Sequence, residues 1–265
     1  MRPVEVVQGT GPLVLGLPHT GTYVPPEIAA RLNDRGRMLA DTDWHVAQLY
    51  DELLPETTTV RATFHRYVID ANRDPAGKSL YPGQNTTDLV PLTDFDGHGI
   101  WHDPPNASEI EDRRKVFHAS YHAAVEAEIA RVHDLHGVAI LYDCHSIRSH
   151  IPYLFSGILP DLNIGTADGA TCAPVIEEAV FRLCEAEPGY SSVRNGRFKG
   201  GWSTRHYGRP SQGWHALQME LAQSTYLQAE APPWAYDPSK ASALRPMLTR
   251  ILASLQNLVL NGDLT

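Results

Sequence analysis

The stretch Val138-Ala139-Ile140-Leu141-Tyr142-Asp143-Cys144-His145-Ser146 constrains the chain more than any other. It opens as a short apolar run of strand-forming type and closes on a carboxylate, an imidazole and a hydroxyl. A long helical pattern ending at Gly137 precedes it. Such a run predicts a strand buried on both faces. In an open α/β sheet, ligands and catalytic groups collect beyond the carboxyl ends of the strands. Asp143 and His145 are two apart, so on a strand they share a face. A carboxylate beside an imidazole fixes its tautomer and strengthens it as a metal ligand. Taken alone, the same residues also fit a polar strand end satisfied by its neighbours.

Other segments repeat the arrangement. Leu13 to Leu17 predicts a buried strand that ends at Pro18-His19-Thr20-Gly21, where proline and glycine force a turn just as an imidazole appears. Pro25-Pro26 predicts the start of a short helix. Asp41-Thr42-Asp43 precedes the helical run Val46 to Leu54; one carboxylate there serves as a helix cap, and a second is left for other work. Thr57 to Phe64 is β-branched and predicts a strand. After His65-Arg66 comes another short apolar run, Tyr67 to Ile69, with Asn72-Arg73 just beyond it. An arginine at such an exit suits an acidic ligand, because a guanidinium meets a carboxylate bidentately, although most arginines are only surface charges.

The Gly- and Pro-rich stretch 77–106 predicts a long loop, and loops of that length within a compact fold usually carry function. Ser108-Glu109-Ile110-Glu111 reads as a capping box opening a helix to about His136. His118 and His122 lie four apart on that helix, but no glutamate sits between them as in a His-Glu-x-x-His zinc motif, so packing and surface roles are expected. Pro152 to Ser156 predicts a strand and Pro174 to Glu187 a helix. The Gly-rich, basic stretch 195–208 reads as a surface loop or a lid. His215 to Leu221 alternates as a strand with Gln218 and Glu220 on one face, and a carboxylate buried there needs a partner or a task. Lys240 to Leu260 predicts a closing helix. Alternation of helix and strand throughout implies a layered α/β sheet.

Composition narrows the partners. A net charge of −9 with no basic run argues against nucleic acid. The apolar run near Leu13 is too short to span a membrane. Three cysteines without a Cys-x-x-Cys indicate neither a disulfide framework nor a zinc ribbon. At 265 residues the chain is long enough for one large α/β domain or two small ones, the cytoplasm is the default, and the oligomeric state is open.

Together, His19, Asp43, Arg66, Asn72-Arg73, Tyr81-Pro82-Gly83-Gln84, Asp143-x-His145-Ser146, the segment 163–169, Gly200-Gly201-x-x-Thr204-Arg205 and Gln218-x-Glu220 resemble the N-formylglutamate amidohydrolase (deformylase) family from about Leu13 to Leu227. Each motif is weak by itself; their order and coverage make the match specific. The family is similar to the zinc carboxypeptidase and aspartoacylase group, which implies a three-layer α/β/α sandwich on a central mixed sheet, a single catalytic domain over residues 1–265 that acts on a small molecule. The resemblance further implies His19, an acidic residue and His145 as ligands of Zn2+ or another divalent ion. Carboxypeptidases take the acidic ligand from His-x-x-Glu, but Thr22 occupies that position here. Asp43 or Asp41 supplies it instead, with Asp43 preferred because Asp41 is better placed to cap the helix. Glu220 matches the general base and Arg66 the arginine that stabilises the oxyanion.

The implied reaction is hydrolysis of N-formyl-L-glutamate to formate and L-glutamate, a step of histidine breakdown. That substrate is a dicarboxylate, so two cationic anchors are expected: Arg73 and Arg205, with Asn72 and Thr204 as hydrogen-bond partners. Two alternatives stand beside this reading. One is a metal-dependent amidase acting on another N-acyl amino acid or a peptide C-terminus. The other is a non-catalytic binding protein, disfavoured because a binder needs the arginines but not Glu220.

Overall fold

Ala139–Ile147 (β4) is buried at all nine positions, which is possible only if both of its faces are covered. A computed structural model of the chain describes residues 2–79 and 83–264. β4 lies at the middle of a seven-stranded mixed sheet. With Val4–Val7 (β1), Leu13–Leu17 (β2), Thr58–Ala62 (β3), Leu162–Gly165 (β5), Ser192–Arg194 (β6) and Trp214–Ala222 (β7), the order is β1-β3-β2-β4-β7-β5-β6. The inner pairs β3·β2, β2·β4 and β4·β7 are parallel, whereas β1 and β5 join their neighbours β3 and β7 antiparallel.

Alternation along the strands divides the interior in two. After the short helices Pro26–Ala29 (α1) and Asp34–Arg37 (α2), the longer elements build the interior: Ile140, Tyr142 and Cys144 face a core formed with Val46–Tyr50 (α3), Pro174–Glu185 (α6) and Pro238–Leu260 (α8). Ala139 and Leu141 face a second core, into which Ala119–His136 (α5) sends Tyr121, Val125, Ile129 and Val132. Helices therefore cover both faces of a mixed sheet, the expected three layers. Asp143 and His145 continue the Ala139–Leu141 face beyond the apolar packing. In register beside them, Gln218 pairs with Asp143 and Glu220 with His145. Because paired positions of parallel neighbours point the same way, four polar side chains form one block on one face.

Several boundaries differ from expectation, each for a local reason. Asn106, rather than Ser108, caps Ala107–Arg113 (α4), accepting from Glu109 N while Glu109 returns the bond to Asn106 N. One turn of π-helix, Arg114–His118, separates α4 from α5, which ends at Gly137 in the left-handed region (φ 73°). Val46–Tyr50 is shorter than its apolar pattern suggested. Tyr67 to Ile69 forms turns rather than a strand although its side chains are fully buried. Pro152 to Ser156 is likewise turn, and the basic stretch 195–208 contains the short helix Trp202–Tyr207 (α7). Tyr81 and Pro82 lie outside the described residues. No described helix is long and apolar enough to cross a membrane.

Replacing Ile140, fully buried in the first core, by alanine is expected to lower unfolding stability by about 2–5 kcal/mol through lost burial and the cavity left behind. Denaturant unfolding reads the change; a loss under about 1 kcal/mol would contradict the two-sided burial of β4.

Candidate active site

His19 follows β2 directly, His145 lies on β4, and Asp43 is brought to both by backbone. Asp43 N donates to His19 O at 3.1 Å, and Ser146 N donates to Asp43 Oδ2 at 3.1 Å. The three side chains converge, each at most 3% exposed. His19 Nδ1 and His145 Nδ1 are 3.2 Å apart, and Asp43 Oδ2 lies 3.2 Å from His145 Nδ1 and 3.8 Å from His19 Nδ1. Tetrahedral ligands at about 2.0–2.2 Å from an ion stand about 3.3–3.6 Å from one another, so this triangle fits a divalent ion such as zinc. Among the described residues, the other group able to hold a metal is Asp94, Asp96 and His98, which is partly exposed.

The far nitrogens of both rings have carboxylate partners. His19 Nε2 lies 2.6 Å from Asp70 Oδ1, and His145 Nε2 lies 3.1 Å from Asp143 Oδ2. With each Nε2 carrying the proton, each Nδ1 lone pair faces the triangle, the arrangement seen in carboxylate–histidine–metal triads. Burial and the adjacent Arg66 guanidinium lower the His19 pKa to about 4 against the pull of Asp70, so His19 stays neutral as a ligand must. His145 goes the other way. Burial opposes its charge, but Asp143 and Asp43, with Glu220 near, hold its pKa well above the usual value. That environment favours positive charge at the point where the triangle lies. Burial likewise works against ionised Asp43, yet His145, His19 and Arg66 keep it below the usual carboxylate range.

A cleft of about 610 Å³ opens over these groups, lined also by Arg66, Asn72, Arg73, Gln218 and Glu220. Arg66 touches His19 Nδ1 and stacks on Phe95, its Cζ 4.9 Å from the ring centre. Glu220 is 6% exposed; burial, reinforced by Asp43, raises its pKa to about 7. Gln218 fixes its orientation: Gly201 N donates to Gln218 Oε1 at 2.7 Å, which turns Nε2 toward Glu220 Oε2, also at 2.7 Å.

The other residues singled out from the sequence divide. Asn72 lies in the cleft, with Nδ2 2.9 Å from His145 Nε2 and Oδ1 accepting from Ser203 N. Arg73 also lines it, held by Thr87 O, Thr87 Oγ1 and Asn72 O. Thr204 and Arg205, expected as substrate contacts, are not among the lining residues. Thr204 Oγ1 points to Asp143 Oδ2 at 3.3 Å, behind His145, and Arg205 Nε turns back to Gly200 O at 2.9 Å. Both residues lie in the short helix α7, which begins at Trp202. The basic residue of that stretch on the cleft is Arg197. Asp41 caps nothing: it accepts from Tyr67 Oη and Phe95 N. His118 and His122 face the carbonyls of Arg73 and Ala71, in packing roles. Asp70, not singled out from the sequence, had one available signal, its place two residues before Asn72.

The chain matches the family model of N-formylglutamate amidohydrolase over residues 11–227. It is 44% identical over 253 residues to an N-formylglutamate deformylase of Pseudomonas aeruginosa, covering 94% of each chain. It is 42% identical over 251 residues to an N-formylglutamate deformylase of Pseudomonas putida, covering 94% of this chain and 93% of that one. The crystal structure of N-formylglutamate amidohydrolase from Ralstonia eutropha superposes with a TM-score of 0.82 at 26% identity, covering 99% of this chain and all of the other.

Asp70→Asn is expected to weaken zinc affinity about 10–100-fold, because the amide no longer holds His19 as a basic, oriented ligand. Calorimetric titration with zinc measures it, and unchanged affinity would remove Asp70 from the centre.

Proposed function

The chain belongs to the N-formylglutamate amidohydrolase family, and on that premise we propose that it hydrolyses N-formyl-L-glutamate to formate and L-glutamate. The observation that carries the proposal is the meeting, in one cleft, of the His19–Asp43–His145 triangle with a buried carboxylate whose pKa is raised to about 7. A binding protein for a dicarboxylate needs cations, and a buried acid among three other carboxylates works against it. A hydrolase needs that acid.

A divalent ion on His19, Asp43 and His145 supplies a Lewis acid and makes a nearby water more acidic. The protein's own groups do the rest. Glu220 takes a proton from the attacking water as oxygen adds to the formyl carbon. It then delivers that proton to the glutamate nitrogen as the C–N bond breaks. A group with a pKa near neutrality is suited to both transfers. Gln218 holds Glu220 Oε2, which leaves Oε1 as the oxygen available for the proton. Arg66, fixed by the Phe95 ring and beside the triangle, meets the negative charge that develops on the formyl oxygen. Arg73, one carboxylate removed from His19, is suited to the substrate α-carboxylate. Asn72 orders the start of α7, where its Oδ1 accepts from Ser203 N.

Formate release from N-formyl-L-glutamate, abolished by a chelator and restored by a divalent ion, is the expected result of a direct assay. No release from N-formyl-L-glutamate, or full activity in a metal-free preparation, would overturn the reading. Glu220→Gln should retain metal and fold while lowering turnover about 10²–10⁴-fold; an unchanged rate would assign Glu220 to structure. The pH dependence follows from the same group. Only ionised Glu220 accepts the proton, and its pKa is raised to about 7, so kcat/KM should climb with pH through about 7 and level above it. A profile flat from pH 5 to 9 would contradict this.

A further inference from the structure

Three guanidinium groups line the cleft, and different partners hold each of them. Arg66 touches His19 and lies 3.9 Å from Asp43, within the triangle's own shell. Arg73 lies 3.8 Å from Asp70, the carboxylate behind His19. Arg197 is held from elsewhere. Its Nε donates to Leu154 O at 3.1 Å and its Nη2 to Asn85 O at 3.2 Å, so segments from three parts of the chain meet on one side chain. Both carbonyls orient the planar group. Asn85 Nδ2 donates in turn to Tyr153 O at 2.8 Å, and Phe198 packs on Phe155 with ring centres 6.2 Å apart. The bracket is thus tied on both sides. Leu154 and Phe198 line the cleft beside the guanidinium and offer apolar surface there.

Substrate geometry distinguishes the two outer cations. In an N-formyl amino acid the α-carboxylate is attached to the carbon bonded to nitrogen, so it stays close to the reacting amide. The γ-carboxylate of glutamate lies two carbons further out, beyond two methylenes. Arg73 is adjacent to the catalytic shell; Arg197 stands on the outer loops, next to apolar surface of the kind methylenes need. Resting on the N-formylglutamate reading, we propose that Arg197 receives the γ-carboxylate and sets the preference for an acidic side chain over a neutral one. A guanidinium fixed in advance by two carbonyls can bind a carboxylate with little loss of rotamer freedom.

The test compares N-formylglutamate with N-formylglutamine, nearly the same shape without the side-chain charge. Wild-type enzyme should prefer the acid. Arg197→Met should lose about ten- to a hundredfold in kcat/KM on the acid, chiefly through KM, and far less on the amide. Arg73→Met should lose ground on both alike. Equal losses on the two substrates in Arg197→Met would show that the residue only ties the loops together, and would overturn its assignment while leaving the reaction in place. A wild-type enzyme that releases no formate from N-formylglutamate would overturn the underlying reading as well. A retained amide rate also shows that the cleft of the variant is intact.

Discussion

Four carboxylates, Asp43, Asp70, Asp143 and Glu220, are buried together where the central strands end, none more than 6% exposed. Burying one ionised carboxylate is costly without a partner, and burying four within one shell demands compensating positive charge. Arg66 supplies part of it, 3.9 Å from Asp43, and the imidazole of His145 is driven toward its charged form by the acids around it. A divalent ion on the His19–Asp43–His145 triangle would meet the remainder. It would also leave both imidazoles neutral, with each Nε2 keeping its proton and donating it to Asp70 or Asp143.

The sheet makes that concentration possible by dividing the work between strands and loops. β4 and β7 hold Asp143, His145, Gln218 and Glu220 as an in-register block whose positions are set by ladder hydrogen bonds. Groups that must keep fixed distances from the reacting atoms therefore sit on rigid elements. The loops contribute the rest of the cleft lining: Arg66 and Arg73 after β3, Phe95 and Asn85 from the long connection, and Arg197 with Phe198 ahead of α7. Backbone ties such as Asp43 N to His19 O bring a loop carboxylate to strand accuracy.

Much of this was legible in the chain. Strand-type runs closing on polar residues gave β2 with the bounds Leu13–Leu17, and the centres of β4 and β7, because burial on two faces leaves a continuous apolar signature. Gly137 marked the end of α5. His19 and His145 stand where an apolar run ends and Glu220 where a polar group interrupts one, but their roles, and Asp43 as the acidic member, came from the family resemblance. Long-range contacts were less visible. Asp70 looked like an ordinary turn acid, and only the fold places it against His19. In the basic stretch 195–208, spacing alone does not say which cation turns toward the cleft. In the fold Arg205 turns back on Gly200 while Arg197 lines the cleft. Tyr67 to Ile69 carried a strand's composition but is buried in turns, where tertiary packing overrode local propensity.

The proposed reaction depends on a divalent ion at the His19–Asp43–His145 triangle. Crystals of the enzyme purified with zinc, measured across the zinc absorption edge, locate the ion directly. The account predicts one strong anomalous peak within about 2.0–2.2 Å of His19 Nδ1, His145 Nδ1 and an Asp43 carboxylate oxygen, with Glu220 beside it but not bound to it. A peak on Asp94, Asp96 and His98, or no peak in crystals of fully active enzyme, would contradict it.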